Sequence, residues 1–352
     1  MCLSFLTLQL QAQDTEWESQ TKLTGYLSAE FNNFSNLEGY KMNFGAALSE
    51  AGLLATYMPT SRLTFKTVFV YRPDFSFNQM LNEANIQFRI ADFMSVKAGR
   101  FLSPLSPMNT YYYAPVNSSA TLPMLITNHE FFPLNMDALS LNGSIGESFK
   151  ISYDLFAGGY RNTTWLKTGA MGFFGDEVAY YKKVTNSTNT VSPSYNNTKN
   201  FGGGFHVAVS YQDYITVGAS AFKPKNEIMP IYIVPMDFTK DMTSKKFSYG
   251  INLKLKYKGT RLIGEYWKSD LNIDDSNINL EGSFIELSQT AGKFIPYVRF
   301  EKQKTDDIDY KRYTAGMAFK PMFETTLKVE YLRYQQEVAN INGVVASLIY
   351  SF

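Results

Sequence analysis

Two histidines, His129 and His206, and one cysteine, Cys2, are the residues of this 352-residue chain with the most obvious capacity for chemistry. A nucleophilic serine needs a base within hydrogen-bond reach and a third group to orient that base. His129 is the one candidate base for a barrel hydrolase. His206 opens an alternating apolar stretch between Phe205 and Val207, where a side chain is positioned by a strand rather than by a catalytic loop. So few histidines and cysteines also argue against a zinc-type site. The stretch NIDDSNINLEG at 272–282 lacks the Asp-x-Asp-x-Asp-Gly order and the distal Glu of a calcium loop. The glycines of GGGFHVAV at 202–209 are followed by strand residues, not by the Lys and Ser or Thr of a phosphate-cradling loop. Three glycines there relieve crowding or bend a sheet. No catalytic residue, metal or cofactor is expected.

What remains is electrostatic, and its meaning depends on the elements that carry the charges. With 33 basic and 32 acidic residues, nothing draws the chain to nucleic acid. No run approaches the ~18–20 apolar residues of a spanning helix. The 24 Tyr and 28 Phe, against 3 Trp, favour strands. Segments of about ten residues alternate with period two, the mark of strands with one apolar and one polar face. INLKLKYK sets Ile251, Leu253, Leu255 and Tyr257 against Asn252, Lys254, Lys256 and Lys258. TLKVEYLRY sets Leu327, Val329 and Tyr331 against Lys328 and Glu330. NIQFRI and FKISYDLFA behave alike, placing Arg89, Lys150 and Asp154 on polar faces.

Connections alternate in length. Short turns at 58–62, 90–94, 143–148, 211–214, 257–261, 289–293 and 320–325 separate longer polar ones at 34–39, 73–79, 103–136, 159–200, 223–244, 269–279, 304–309 and 337–342. These fifteen connections join sixteen strands. The stretch 40–58 is long for one strand, and is read as one strand extending above the membrane, as a strand with a bulge, or as two strands joined at Ser49 to Gly52, which would make the count uneven. Even strand number, short turns on one side and long loops on the other, and apolar-out, polar-in alternation together describe an all-β, single transmembrane antiparallel β-barrel. Lipid cannot satisfy a free strand edge, so the sheet must close. Aromatics fall at the expected strand ends, as the two interfacial girdles require: Phe31, Phe34, Tyr40, Phe69, Tyr71, Tyr160, Phe201, Tyr310, Tyr313, Tyr331 and Tyr334 among them. Residues 1–13, apolar and then small and polar, read as a truncated signal peptide, leaving 14–352 as the barrel.

The final residues alternate: Phe352, Tyr350, Leu348, Ala346 and Val344 are apolar or small. This resembles the C-terminal assembly signal of bacterial outer-membrane barrels, which implies handling by the barrel assembly machinery and residence in outer-membrane lipid. The stretch 82–109 ends in AGRFLSPLSP, and its Gly99, Arg100 and Pro104 resemble the hairpin motif of the phosphate- and polyphosphate-selective porins of Gram-negative bacteria. That family's glycine after the proline is replaced here by Leu105, Ser106 and Pro107. The resemblance implies a porin, and porins of this kind are often homotrimers.

The connection 103–136 is long and apolar, with Leu122, Leu125, Ile126, Phe131 and Phe132, and with His129 beside Glu130. Long connections of this kind are usually functional. It is expected either to fold into the lumen, as a constriction or a plug, or to pack over the rim. Lumen charges would bias ion choice. The candidates are Arg100, His129, Glu130, Arg89, Lys66, Lys254, Lys256, Arg299 and Lys328, basic overall. The expected function is passive diffusion of small hydrophilic solutes or anions. The alternative is a plugged barrel serving a secretion or surface-attachment complex.

Overall fold

A computed structural model describes residues 18–34, 45–72, 80–111, 113–127, 131–161, 199–225, 227–233, 238–273, 276–305, 308–335 and 340–352. The expected signal segment 1–13, Tyr40, His129, Glu130, Asp274, Asp275 and the interior of the connection 159–200 lie outside the described residues.

The alternating segments form one sheet. Its strands are β1 (Gln20–Phe34), β2 (Gly45–Thr60), β3 (Leu63–Tyr71), β4 (Leu81–Ala91), β5 (Met94–Leu102), β6 (Asn135–Ile145), β7 (Phe149–Arg161), β8 (Lys199–Tyr211) and β9 (Ile215–Pro224). They continue as β10 (Glu227–Ile233), β11 (Phe238–Tyr257), β12 (Thr260–Ile273), β13 (Ser276–Gln289), β14 (Phe294–Thr305), β15 (Ile308–Phe319), β16 (Thr325–Gln335) and β17 (Asn340–Ser351). Both β9 and β10 pair with β11, Phe222 opposite Ser248 and Glu227 opposite Ser244. They are one barrel strand in two pieces, broken just after Pro224, which has no N–H for the ladder. The barrel therefore has sixteen strands. It closes where β17 pairs with β1, Tyr350 opposite Leu27 and Val344 opposite Asn33. Gly25 and Phe352 exchange backbone hydrogen bonds of 2.8 and 2.9 Å. The sheet is thus closed on itself, as a bilayer demands, and among the described strands only the short β10 is laddered on a single edge.

The outward face carries an exposed apolar band that includes Leu27, Leu53, Leu139, Ile251, Ile285, Val298 and Leu348. Cross-strand ring pairs sit at the turn side of this band: Phe149 with Tyr211 and Phe294 with Phe319, both at 4.7 Å. The terminal residues Leu348, Tyr350 and Phe352 point outward, with the Tyr350 and Phe352 rings stacked. The Phe352 ring lies over Gly25, where a Cβ would come within 2.5 Å of it. All seven expected short turns are present. The 257–261 turn is a two-residue hairpin, with Lys258 and Gly259 both at positive φ, as a primed turn requires.

Three expectations need correction or resolution. The connections expected at 223–244 and 269–279 are largely strand, because the β10–β11 and β12–β13 ladders continue with unbroken register to Ile233/Phe238 and Ile273/Ser276. The stretch 45–60 is a single strand with a bulge: Ser28 pairs with Glu50 and Ala29 with Leu48, leaving Ser49 unpaired. The Ser49 hydroxyl donates to the Ser28 carbonyl at 2.9 Å. Finally, Phe34, Tyr160, Tyr310 and Tyr334 are not girdle residues. Strand parity puts them on the inward face, and all four are buried.

Candidate functional site

The barrel interior is organised around the described residues of the link between β5 and β6, 103–111, 113–127 and 131–134. They contain a 3-10 turn (Pro107–Tyr111) and one short helix, α1 (Met124–Thr127). Leu105, Met108, Leu125, Ile126, Phe131 and Phe132 are all almost fully buried. Each such side chain contributes roughly 1.5–3 kcal/mol of burial. The Phe132 ring lies 4.5 Å from Trp267, an inward residue of β12. Gly250, directly across from Trp267 on β11, leaves room for that indole, since a Cβ there would approach it to 2.4 Å. Gly204 does the same for Phe156 and Leu105, so the glycines of 202–204 relieve crowding.

Polar contacts tie this segment to the inward faces of many strands. On β2, Glu50 accepts from Arg72, Tyr26 and, at 3.5 Å, Ala114 N. On β4, Glu83 accepts from Tyr113 at 2.9 Å and from Lys66 at 2.8 Å. On β9, the Ser220 hydroxyl donates to Leu105 O at 2.5 Å, and His206 Nδ1 lies 2.8 Å from the same hydroxyl. On β12, Glu265 accepts from Ser106 Oγ at 2.8 Å and Met108 N at 3.1 Å.

The densest contacts are on β13 to β16. Arg299 donates to Glu286 at 3.1 Å, to Thr121 O at 3.0 Å and to Thr121 Oγ1 at 2.7 Å, and pairs with Glu301 at 3.2 Å. Arg312 pairs with Glu301 and donates to Leu122 O and, at 2.9 Å, to Tyr334. Lys328 donates to Ala114 O at 2.7 Å and Ser119 O at 3.1 Å. Two carboxylates complete the clamp from the other side: Glu301 accepts from Met124 N at 2.7 Å and Glu330 from Ala120 N at 3.0 Å.

The candidate charges therefore separate into groups. Arg299 and Lys328 were expected to face passing solute. They are 3% and 1% exposed and bond the segment's backbone. Arg100 was expected at the constriction. It stands instead on the outward face, opposite Asp137 and in line with Ala98 and Leu139, while Phe101 and Met136 take the inward face. Its guanidinium forks onto Asp137 at 2.6 and 2.8 Å and donates to Leu81 O at 3.1 Å. Gly99 before it has φ of +113°, and a Cβ there would sit 2.3 Å from Ala84 O. The Gly-Arg pair is thus a clasp at the root of the segment. Lys66, Arg89, Lys254 and Lys256 do lie on inward faces, by the register of Lys66 with Asn85 and of Lys254 with Thr216. Arg89 donates to Ser61 O at 3.0 Å. His129 and Glu130 lie outside the described residues.

No protein-family profile and no curated relative matches the sequence, whereas the fold has clear counterparts among solved structures. An anion-selective porin from Comamonas acidovorans superimposes with a TM-score of 0.63 at 13% identity, over 95% of this chain and all of the other. OmpT of Vibrio cholerae in its trimer form gives 0.63 at 12%, over 95% and 99%. The outer membrane channel DcaP of Acinetobacter baumannii gives 0.54 at 10%, over 95% and 97%.

The fold is that of the Gram-negative porins. Its closed sheet and exposed apolar outward band are those of a membrane-spanning barrel. Within this porin fold, reading the sequence missed Glu50, Glu83, Glu265, Glu286 and Arg312, all buried inward groups that hold the segment. The signal was present: in LIGEYWKS and SFIELS, Glu265 and Glu286 fall on the polar parity between outward Gly264, Tyr266, Ile285 and Leu287.

Proposed function

We propose that the chain is a passive diffusion channel for small hydrophilic solutes, with preference for anions, and that residues 103–134 form its constriction. The observation that carries this is the division of charge inside the barrel. The β13–β16 wall has its inward cations Arg299, Arg312 and Lys328 bonded to the segment, and the two arginines also paired with Glu286 and Glu301. A solute then meets the walls of β3 to β8 and β11, where Lys66, Arg89, Lys97, Lys150, Lys254 and Lys256 face inward and Glu83 and Asp154 oppose them. Charge rings of one sign bias permeation toward the other. The likeness to an anion-selective porin and the Gly99, Arg100 and Pro104 resemblance point the same way. A homotrimer fits the trimeric neighbour, and catalysis has no part in this reading.

The test is the reversal potential of bilayers holding the purified protein between unequal KCl solutions. An anion preference is expected, weakened toward zero in Lys254→Gln/Lys256→Gln. A wild-type reversal potential of cation-selective sign would overturn the preference. A second reading, a plugged barrel serving a partner protein, is favoured by the depth at which Leu105, Ile126, Phe131 and Phe132 are buried. It predicts no conductance.

A further inference from the structure

The outward face of β12 to β16 is not uniform. A groove of about 690 Å³ runs across it, lined by Ile285, Leu287, Val298, Phe300, Ala315 and Tyr331, with Arg333 at its loop-side end. The small side chain of Ala315 leaves a depression between the larger ones. Directly above the Phe300–Tyr313 ring pair, whose centroids are 5.1 Å apart, Lys302 stands opposite Lys311. Arg333 pairs with Tyr313 on the next strand over. Like charges directly opposite one another destabilise a sheet unless something neutralises them. Among the described residues, Lys302 reaches Asp309 at 3.2 Å, and Lys311 and Arg333 make no ion pair with another described residue. The neighbouring Lys304 and Lys268 are each opposed by Glu281. Among the described residues, positive charge is thus left over at one point of the rim, at the end of an apolar trough on the outward surface.

We infer that this is a binding site for one phosphate-bearing lipid of the leaflet on the long-loop side. Its phosphate is held by Lys311, Arg333 and Lys302, and an acyl chain lies along Phe300, Val298, Ala315 and Ile285. A guanidinium fork and an ammonium together match the geometry of a phosphate monoester. The apolar trough continues from the charged point, which is what distinguishes a lipid from a free anion.

The test is native mass spectrometry of the intact protein released from detergent with added dioleoyl phosphatidic acid, dioleoyl phosphatidylcholine or inorganic phosphate. The wild-type protein is expected to retain one phosphatidic acid and to discriminate against phosphatidylcholine, with no competition from inorganic phosphate. The Lys311→Gln/Arg333→Gln variant should bind about thirtyfold more weakly, at roughly a factor of five per basic residue at a lipid surface. Ala315→Phe, which fills the trough, should also weaken binding. Equal retention of both lipids, competition by phosphate, or unchanged binding in the variants would overturn the site. So would loss of oligomers in Ala315→Phe with lipid binding intact, because the groove would then belong to a second copy. Lipid discrimination by the wild-type chain needs no variant, so a misfolded mutant leaves the test standing. These side chains face outward, and the variants should conduct as the wild type does, which keeps this result separate from the channel reading.

Discussion

Arg299 sits between Glu286 and Glu301 and against the Thr121 carbonyl, with no exposed side-chain surface. Taking such a charge out of water is costly, and the pair returns that cost only while both partners remain. Arg299→Leu is therefore expected to destabilise the barrel by about 3–5 kcal/mol, because it strands a buried carboxylate. Glu286→Leu/Arg299→Leu should be less destabilised than the single change, since Glu301 keeps Arg312. Urea unfolding in detergent micelles measures both; additive losses would contradict the pairing. Single-channel records of Arg299→Leu should also be noisier than wild type, since Ser119 and Thr121 lose three donated hydrogen bonds, two at their hydroxyls and one at the Thr121 carbonyl.

At the scale of elements, the Gly99–Arg100 pair shows how one residue type sets a strand's course. Gly99→Ala places a Cβ 2.3 Å from Ala84 O in a backbone conformation that costs a non-glycine residue roughly 1–3 kcal/mol by itself. Gly292→Ala, at φ of +61° with nothing within 4 Å, carries only the backbone part. The folded form, which migrates faster than the heat-denatured form on a detergent gel, should be lost at lower temperature in Gly99→Ala than in Gly292→Ala. Equal midpoints would show that the clasp at the segment root is dispensable. The strands themselves were legible in the sequence, because lipid on one side and polar groups on the other impose period two on residues such as Ile251 to Lys258. Three things were not. Pairing beyond the membrane, as in β10 and the far half of β11, is not governed by that period. The bulge at Ser49 shifts parity by one without any special residue type. Arg100 was misplaced because a charge suggests an inward face, whereas the unbroken alternation of β5 carries it outward with Ala98, and the motif alone does not say which face the arginine takes.

For the whole molecule, closure and interior are separate matters. The register of β17 on β1 and the outward row of Leu348, Tyr350 and Phe352 complete the barrel without reference to what lies inside it. Phe352→Ala or Gly25→Val, each of which removes or displaces the ring over Gly25, should slow assembly of the folded form in refolding assays while leaving the conductance of assembled protein unchanged. The interior is set by the described residues of 103–134, whose Phe132 ring packs on Trp267 and whose backbone is clamped on β13 to β16. A sixteen-strand barrel is wide enough to hold an aqueous channel beside such a segment. The proposed constriction requires that it does. Single-channel conductance of the refolded protein in a planar bilayer tests this most directly, with the heat-modifiable gel band confirming an intact barrel. Discrete, ohmic conductance steps are expected. An intact barrel that inserts and gives no steps would contradict this and identify the segment as a plug.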